Sequence, residues 1–170
     1  WGFFNESTNM AMYSVLQNGS LIKKVYIPKF IFPMSRVFSS FVTMSFSLGA
    51  ILIVMLVTRA PLHWQLLLFP LPLILLLLFA MGVSMVLSSL SVYFRDVTHL
   101  YSVVTLAWMY VTPVFYPVSA LPDEVAWVLK LNPMYYYLDN FRQLVLYGSL
   151  PTAKSWCICL LCSGVALAVG

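Results

Sequence analysis

The chain has 170 residues, of which 62% are hydrophobic and 8% charged, with a formal net charge of +4. Soluble domains carry about 25% charged residues, and a water-soluble fold of this size could not hide so much apolar surface, so the bilayer must act as part of its solvent. The net charge is small and implies no nucleic-acid partner; its distribution along the chain is the more useful signal.

Residues 1–17 carry Glu6 as their one charge and read as the end of a membrane span. The chain opens on Trp1 rather than Met and stops at Gly170 inside an apolar run. Both ends therefore read as cut from a longer polypeptide, and no signal peptide is visible.

Residues 18–36 hold the run LIKKVYIPKFIFP, from Leu21 to Pro33. It is basic, aromatic and bent by Pro28 and Pro33. One reading is a positively charged loop whose lysines meet lipid headgroups. The other is a short cytoplasmic segment that docks on a partner protein, since Tyr26, Ile27, Phe30 and Phe32 exceed what a solvated loop needs.

Residues 37–58 are free of charge and would make a span of about 33 Å as a helix. The following run, 60–94, is interrupted only by His63. It is either one span over 64–91 or a tight hairpin turning at Pro70 and Pro72, and one span is preferred. That choice puts Lys23, Lys24, Lys29, Arg36 and Arg95 on one side, as positive charge gathers on a cytoplasmic face. Residues 37–58 then run outward, 64–91 inward and 98–117 outward, with 92–97 as a cytoplasmic turn. Lys130, Arg142 and Lys154 fall outside and count against this orientation.

The most informative stretch is Val92 to Pro117, VYFRDVTHLYSVVTLAWMYVTPVFYP. It opens on Arg95-Asp96, an adjacent pair of opposite charges at the end of a span. Alone, such a pair more often anchors a helix at the interface than marks a site; ionisable residues deep in the membrane would be functional by default, but these sit at its edge. It closes on Thr112-Pro113 and Tyr116-Pro117. These mark either an ordinary helix terminus with a belt aromatic or a break that shapes an exit path; two prolines so close favour the break.

Residues 121–148 are too polar for a simple span and too apolar for an ordinary loop. Pro122, Asp123 and Glu124 signal a helix start, with Lys130 in its last turn. Asn132-Pro133 ends that helix. A second one is predicted from about Met134 to Tyr147, stopping at Gly148, with Asp139 and Arg142 placed to pair on one face. Two short amphipathic helices describe a re-entrant or interfacial hairpin, tolerated in a membrane where it is buried in protein or lines a wet cavity. Residues 153–170 form a last, incomplete span. Its Cys157, Cys159 and Cys162 read as buried apolar thiols, because the run offers no His or carboxylate to complete a zinc site.

The predicted fold is therefore all-α and integral to the membrane. It is a single domain, a bundle of transmembrane helices with a short re-entrant or amphipathic hairpin before the last span. There is no GxxxxGK[ST] loop, so ATP is not bound by that device. His63 and His99 stand alone, and no nucleophile–base pair can be named. An integral-membrane glycosyltransferase acting on polyprenyl-linked sugars is a rival reading, but it would need clustered acidic residues for a metal, and the acids here are scattered. The aromatics Trp108, Tyr110, Phe115, Tyr116, Trp127, Tyr135, Tyr136 and Tyr137 serve belts and packing, and some are suited to stack on sugar rings.

Three stretches in series resemble one family, the permease subunit of type 2 ABC exporters of the polysaccharide branch, which move O-antigen, capsule or teichoic acid. They are Asn18, Leu21, Ile22, Lys24, Tyr26, Pro28 and Pro33; then Val92, Arg95, Asp96 and Thr112-Pro113-Val114-Phe115-Tyr116-Pro117; then Asn132-Pro133-Met134 with Phe141-Arg142. The resemblance implies a non-enzymatic transport subunit in the bacterial plasma (inner) membrane. It would be a homodimer with a separate ATP-binding subunit that holds the ATP and magnesium, with no cofactor in this chain. Its cargo would be a lipid-linked glycan, with a drug or lipid as the alternative. Coupling to the ATPase would fall to Leu21, Ile22, Lys23, Lys24, Tyr26, Pro28, Lys29 and Pro33, and to Arg95 and Asp96. An outer gate and path would use Trp108, Tyr110, Thr112, Pro113, Tyr116, Pro117, Asn132, Pro133, Tyr135 and Arg142. The family's N-terminal amphipathic helix and first span have no counterpart here.

Overall fold

A computed structural model describes residues 1–18, 28–58, 67–114, 129 and 131–170. Their regular structure is helical: α1 (Gly2–Gln17), α2 (Ile31–Val57), α3 (Pro70–Tyr93), α4 (Val97–Val111), α5 (Pro133–Arg142) and α6 (Ala153–Val169), with a π-helical turn over Gln143–Tyr147 after α5. The fold is an all-α membrane bundle. By length and composition α2 and α3 can each cross a bilayer, and α4 and α6 are shorter apolar helices.

The centre of the bundle is α3, which touches each of the other five helices. Its sequence, PLPLILLLLFAMGVSMVLSSLSVY, is apolar all round, the pattern of a helix without a solvent face. Twelve of its residues are buried, against three in the 27 residues of α2. The closest approach is to α6. At Gly82 a Cβ would overlap the backbone of Ala166 and Leu167, so only glycine lets the two helices meet there.

Pair contacts fix the directions. Phe4 stacks on Phe79 and Ser91 reaches the Met12 carbonyl, so α1 and α3 are parallel. Ser163 meets the Leu75 carbonyl and Ala166 meets Gly82, so α6 runs the same way. α4 is antiparallel to α1, with Tyr101 on Thr8 and Trp108 on Phe4. One end of the bundle thus gathers the last turns of α1 and α3 and the first turns of α2 and α4. A cleft there is lined by Val15, Lys29, Phe30, Pro33, Ser88 and Val92. The other end carries α5.

Several expected boundaries move. The span expected over 37–58 begins at Ile31, so Pro33 and Arg36 lie in α2 rather than in the connecting segment. Proline suits a first helical turn, where its missing N–H has no intrahelical partner. The span expected over 64–91 is helical from Pro70, and Pro70 and Pro72 sit in its first turn instead of at a hairpin tip. The turn expected over 92–97 narrows to residues 94–96, with Phe94 extended. Within the span expected over 98–117, α4 ends at Val111, because the residue before Pro113 is driven out of helical geometry; residues 115–117 lie outside the description. The last span is helical over Ala153–Val169, but of its cysteines only Cys159 is buried; Cys157 is exposed and Cys162 half-buried. Residues 19–27, 59–66, 115–128 and 130 lie outside the description, and with them the first helix of the expected hairpin.

Candidate functional site

The end of α4 and the start of α5 are held together by one side chain. Asn132 precedes Pro133 and is therefore extended, at φ −82° and ψ 113°. This frees its amide to cap α5: Oδ1 accepts the Met134 N–H at 3.0 Å. The same Oδ1 accepts the indole N–H of Trp108 at 2.9 Å. Asn132 Nδ2 donates to the Thr112 hydroxyl at 2.8 Å, and that hydroxyl donates to the Trp108 carbonyl at 2.9 Å. Asn132 and Thr112 are both buried, so this closed circuit satisfies polar groups that would otherwise be costly at that depth.

A second fastening lies at the far end of α5. Arg142 Nη2 donates to the Val114 carbonyl at 2.9 Å. Asp139, expected to pair with Arg142, instead accepts from Gln143 Nε2 at 2.7 Å, one helical turn on. Burial raises the Asp139 carboxyl above its ordinary value, while the Gln143 bond and the Arg142 charge pull it back. After the π turn the helix stops at Gly148, whose φ of 56° is the left-handed geometry that glycine adopts freely.

Aromatic rings carry the contact inward. Trp108 meets Phe4 edge-on at 5.5 Å, Phe4 stacks on Phe79 at 5.6 Å, and Phe79 lies 5.4 Å from Tyr137. The Tyr137 hydroxyl reaches the Cys159 carbonyl at 2.8 Å and the Ser163 hydroxyl at 2.7 Å. Beside this ladder is an apolar cavity of about 270 Å³, lined by Trp1, Leu73, Leu76, Thr112, Met134 and Phe141 among others. The site holds no nucleophile–base pair and, among the described residues, no cluster of metal ligands. What it can do is mechanical: it holds a broken helix end to a short helix.

Of the residues expected at a gate, Trp108, Thr112, Pro113, Asn132, Pro133 and Arg142 come together here. Tyr110, in the last turn of α4, is 65% exposed. Tyr135 packs on Tyr136 at 5.4 Å instead. Tyr116 and Pro117 lie outside the described residues. Of the residues expected to couple to an ATPase, Lys29, Pro33, Arg95 and Asp96 lie at the opposite end of the bundle. Pro28 accepts the Ile31 N–H there, and Leu21, Ile22, Lys23, Lys24 and Tyr26 lie outside the description. Arg95 and Asp96 are both exposed and form no ion pair among the described residues. Asp96 occupies the position before α4 without a side-chain capping bond, and the Thr98 hydroxyl donates to the Arg95 carbonyl at 3.0 Å. The sequence reading missed Phe4, Phe79 and Ser163. Phe79 lies in a uniformly apolar run that offers no pattern to single it out.

The ABC-2 type transporter family model matches residues 1–146. An O-antigen export system permease protein RfbA of Klebsiella pneumoniae is 27% identical over 154 residues, covering 88% of this chain and 58% of that protein. One of Myxococcus xanthus is 28% identical over 156 residues, covering 91% and 60% respectively. The chain therefore spans 58% to 60% of the length of these curated relatives.

Proposed function

The chain belongs to the ABC-2 type transporter family, and from that premise we propose that it is the permease part of an ATP-driven exporter of a lipid-linked polysaccharide, of the O-antigen class. Two copies would form the conduit in the plasma membrane. A separate subunit would bind ATP and magnesium and press on the end of the bundle that carries Lys29 and Arg95. Lys23 and Lys24 belong to the same contact in this reading.

The observation that carries the reading is the separation of two sets of residues. Thr112-Pro113 and Asn132-Pro133 are bound to each other at one end of the bundle, whereas Lys29, Pro33 and Arg95 sit at the other. A machine that takes force at one face and opens at the other needs such an arrangement. The names of the relatives support a glycan over a drug or lipid as cargo.

The test is export by the full-length protein in a strain lacking its own permease. Reversing charge at Lys23, Lys24 and Arg95 together should leave the permease in the membrane and the ATPase active, yet abolish surface glycan. Normal surface glycan from that variant overturns the coupling assignment. A strain rescued for drug efflux but not for glycan display overturns the cargo.

A further inference from the structure

The open face of α1 is unlike the open faces of the other long helices. Phe3, Phe4, Ser7, Thr8, Ala11, Met12 and Ser14 point into the bundle. At 3.6 residues per turn, the opposite side collects Asn5, Asn9, Tyr13 and Gln17, each four apart, with Glu6 and the exposed Met10 on its flank. Tyr13 is 44% exposed, Gln17 is exposed, and Asn5, Glu6 and Asn9 are half-exposed. By contrast α2 exposes Phe46, Ile53 and Val54, α4 exposes Leu100, Val103 and Leu106, and α6 exposes Leu160, Leu161 and Val165. The hydroxyls of Ser35, Thr43, Ser45 and Ser47 on α2 turn back to their own helix's carbonyls, which lets that helix face lipid.

The amides of α1 are only partly satisfied in this way, and its carboxylate cannot be. Asn9 Nδ2 donates to both the Asn5 carbonyl and Asn5 Oδ1 at 2.8 Å. That leaves the Asn5 amide donors and Asn9 Oδ1 without a partner among the described residues. Glu6 has no cation beside it there. In a bilayer such a face costs several kcal/mol unless it meets water or a polar partner. Between α1 and α4 it borders a cleft of about 170 Å³, lined by Trp1, Asn5, Asn9, Ser102, Thr105 and Met109. Planar amides and hydroxyls on one side and an indole at the end match the chemistry of a sugar ring, which offers hydroxyls at its rim and an apolar face. The only charge on α1 is negative, so the face would repel phosphate and favours uncharged sugar units.

We propose that Asn5, Glu6, Asn9, Tyr13 and Gln17 on α1 form a track that hydrogen-bonds uncharged sugar units of the glycan as it passes. This rests on the reading of the chain as a glycan exporter. The test uses the full-length permease with its ATPase in a strain that makes a neutral glycan and lacks its own permease. Asn5→Leu with Asn9→Leu, both helix-compatible, should leave membrane abundance and ATP hydrolysis unchanged and lower surface glycan about tenfold, the loss expected from one or two hydrogen bonds. A photo-reactive phenylalanine analogue at Tyr13 should cross-link to glycan, detected by lectin. Unchanged export by the double variant, or cross-links at Tyr13 to a second copy or to lipid alone, overturns the track. If the double variant fails to reach the membrane, the cross-link decides by itself. Failure of the unaltered protein to export any glycan defeats the exporter reading, and the track with it.

Discussion

Trp108 gives its indole N–H to Asn132 at 2.9 Å, across 24 positions of sequence. The bond joins the last turn of α4 to the start of α5. It is the point at which the two proline-marked stretches become one object.

Asn132→Ala removes the cap on α5 and strands the Trp108 indole N–H. The expected loss is about 1–3 kcal/mol of stability, one part from the cap and the rest from the half-buried indole donor left unpaired. A thermal melt of the purified full-length protein checks this. In a double-mutant cycle with Trp108→Phe the two losses should not add, because both variants cut the same bond.

Arg142→Lys should not substitute for the native residue. A lysine carries a point charge on a different reach and lacks the planar fork. The expected cost is about 1 kcal/mol, discounted from a buried charge-assisted bond because Arg142 is half-exposed. Hydrogen exchange in a lipid nanodisc should show faster exchange through residues 143–147 while α3 stays protected.

Gly82→Ala should lower the melting temperature by an amount equivalent to about 1–3 kcal/mol, the usual cost of overpacking a tight core. The clash is with the backbone of Ala166 and Leu167, so a further Ala166→Gly change should not rescue it. Rescue by that second change would show that the helices separate easily.

Asp139→Asn should stabilise the protein at neutral pH. Burial raises the Asp139 carboxyl, so the unfolded chain ionises first as pH rises. Stability is therefore full below the ordinary carboxylate value and falls as pH climbs through the raised one. Asparagine keeps the acceptor for Gln143 and removes that slope. Melting temperatures of the two proteins should converge toward about pH 4 and part toward pH 7.

Local rules reached some of this from sequence. Asn132-Pro133 announces a helix start and Gly148 a stop, because capping and left-handed geometry depend on residues a few positions apart. The partners of those residues were not legible. Asp139 and Arg142 have suitable spacing, but Gln143 is equally near on the helix and Val114 approaches Arg142 from 28 positions away. The early start of α2 was hidden because Arg36 breaks the charge-free run while leaving the helix intact. The polar side of α1 was masked by averaging: Asn5, Glu6 and Asn9 are diluted by Phe3, Phe4 and Met12 until the helix is turned to show its two sides.

Helix α5 is pinned at both ends, by Asn132 at its start and Arg142 at its finish, to a stretch of only three residues, Thr112 to Val114. One pin would leave a swivel. Two convergent pins make a triangle, and a triangle has no rotation to give. The helix can then travel with the end of α4 as one plate, or both pins must break together. With the Tyr137 hydroxyl also bound to α6, any release of this helix in the proposed exporter would be a single threshold event instead of a gradual swing.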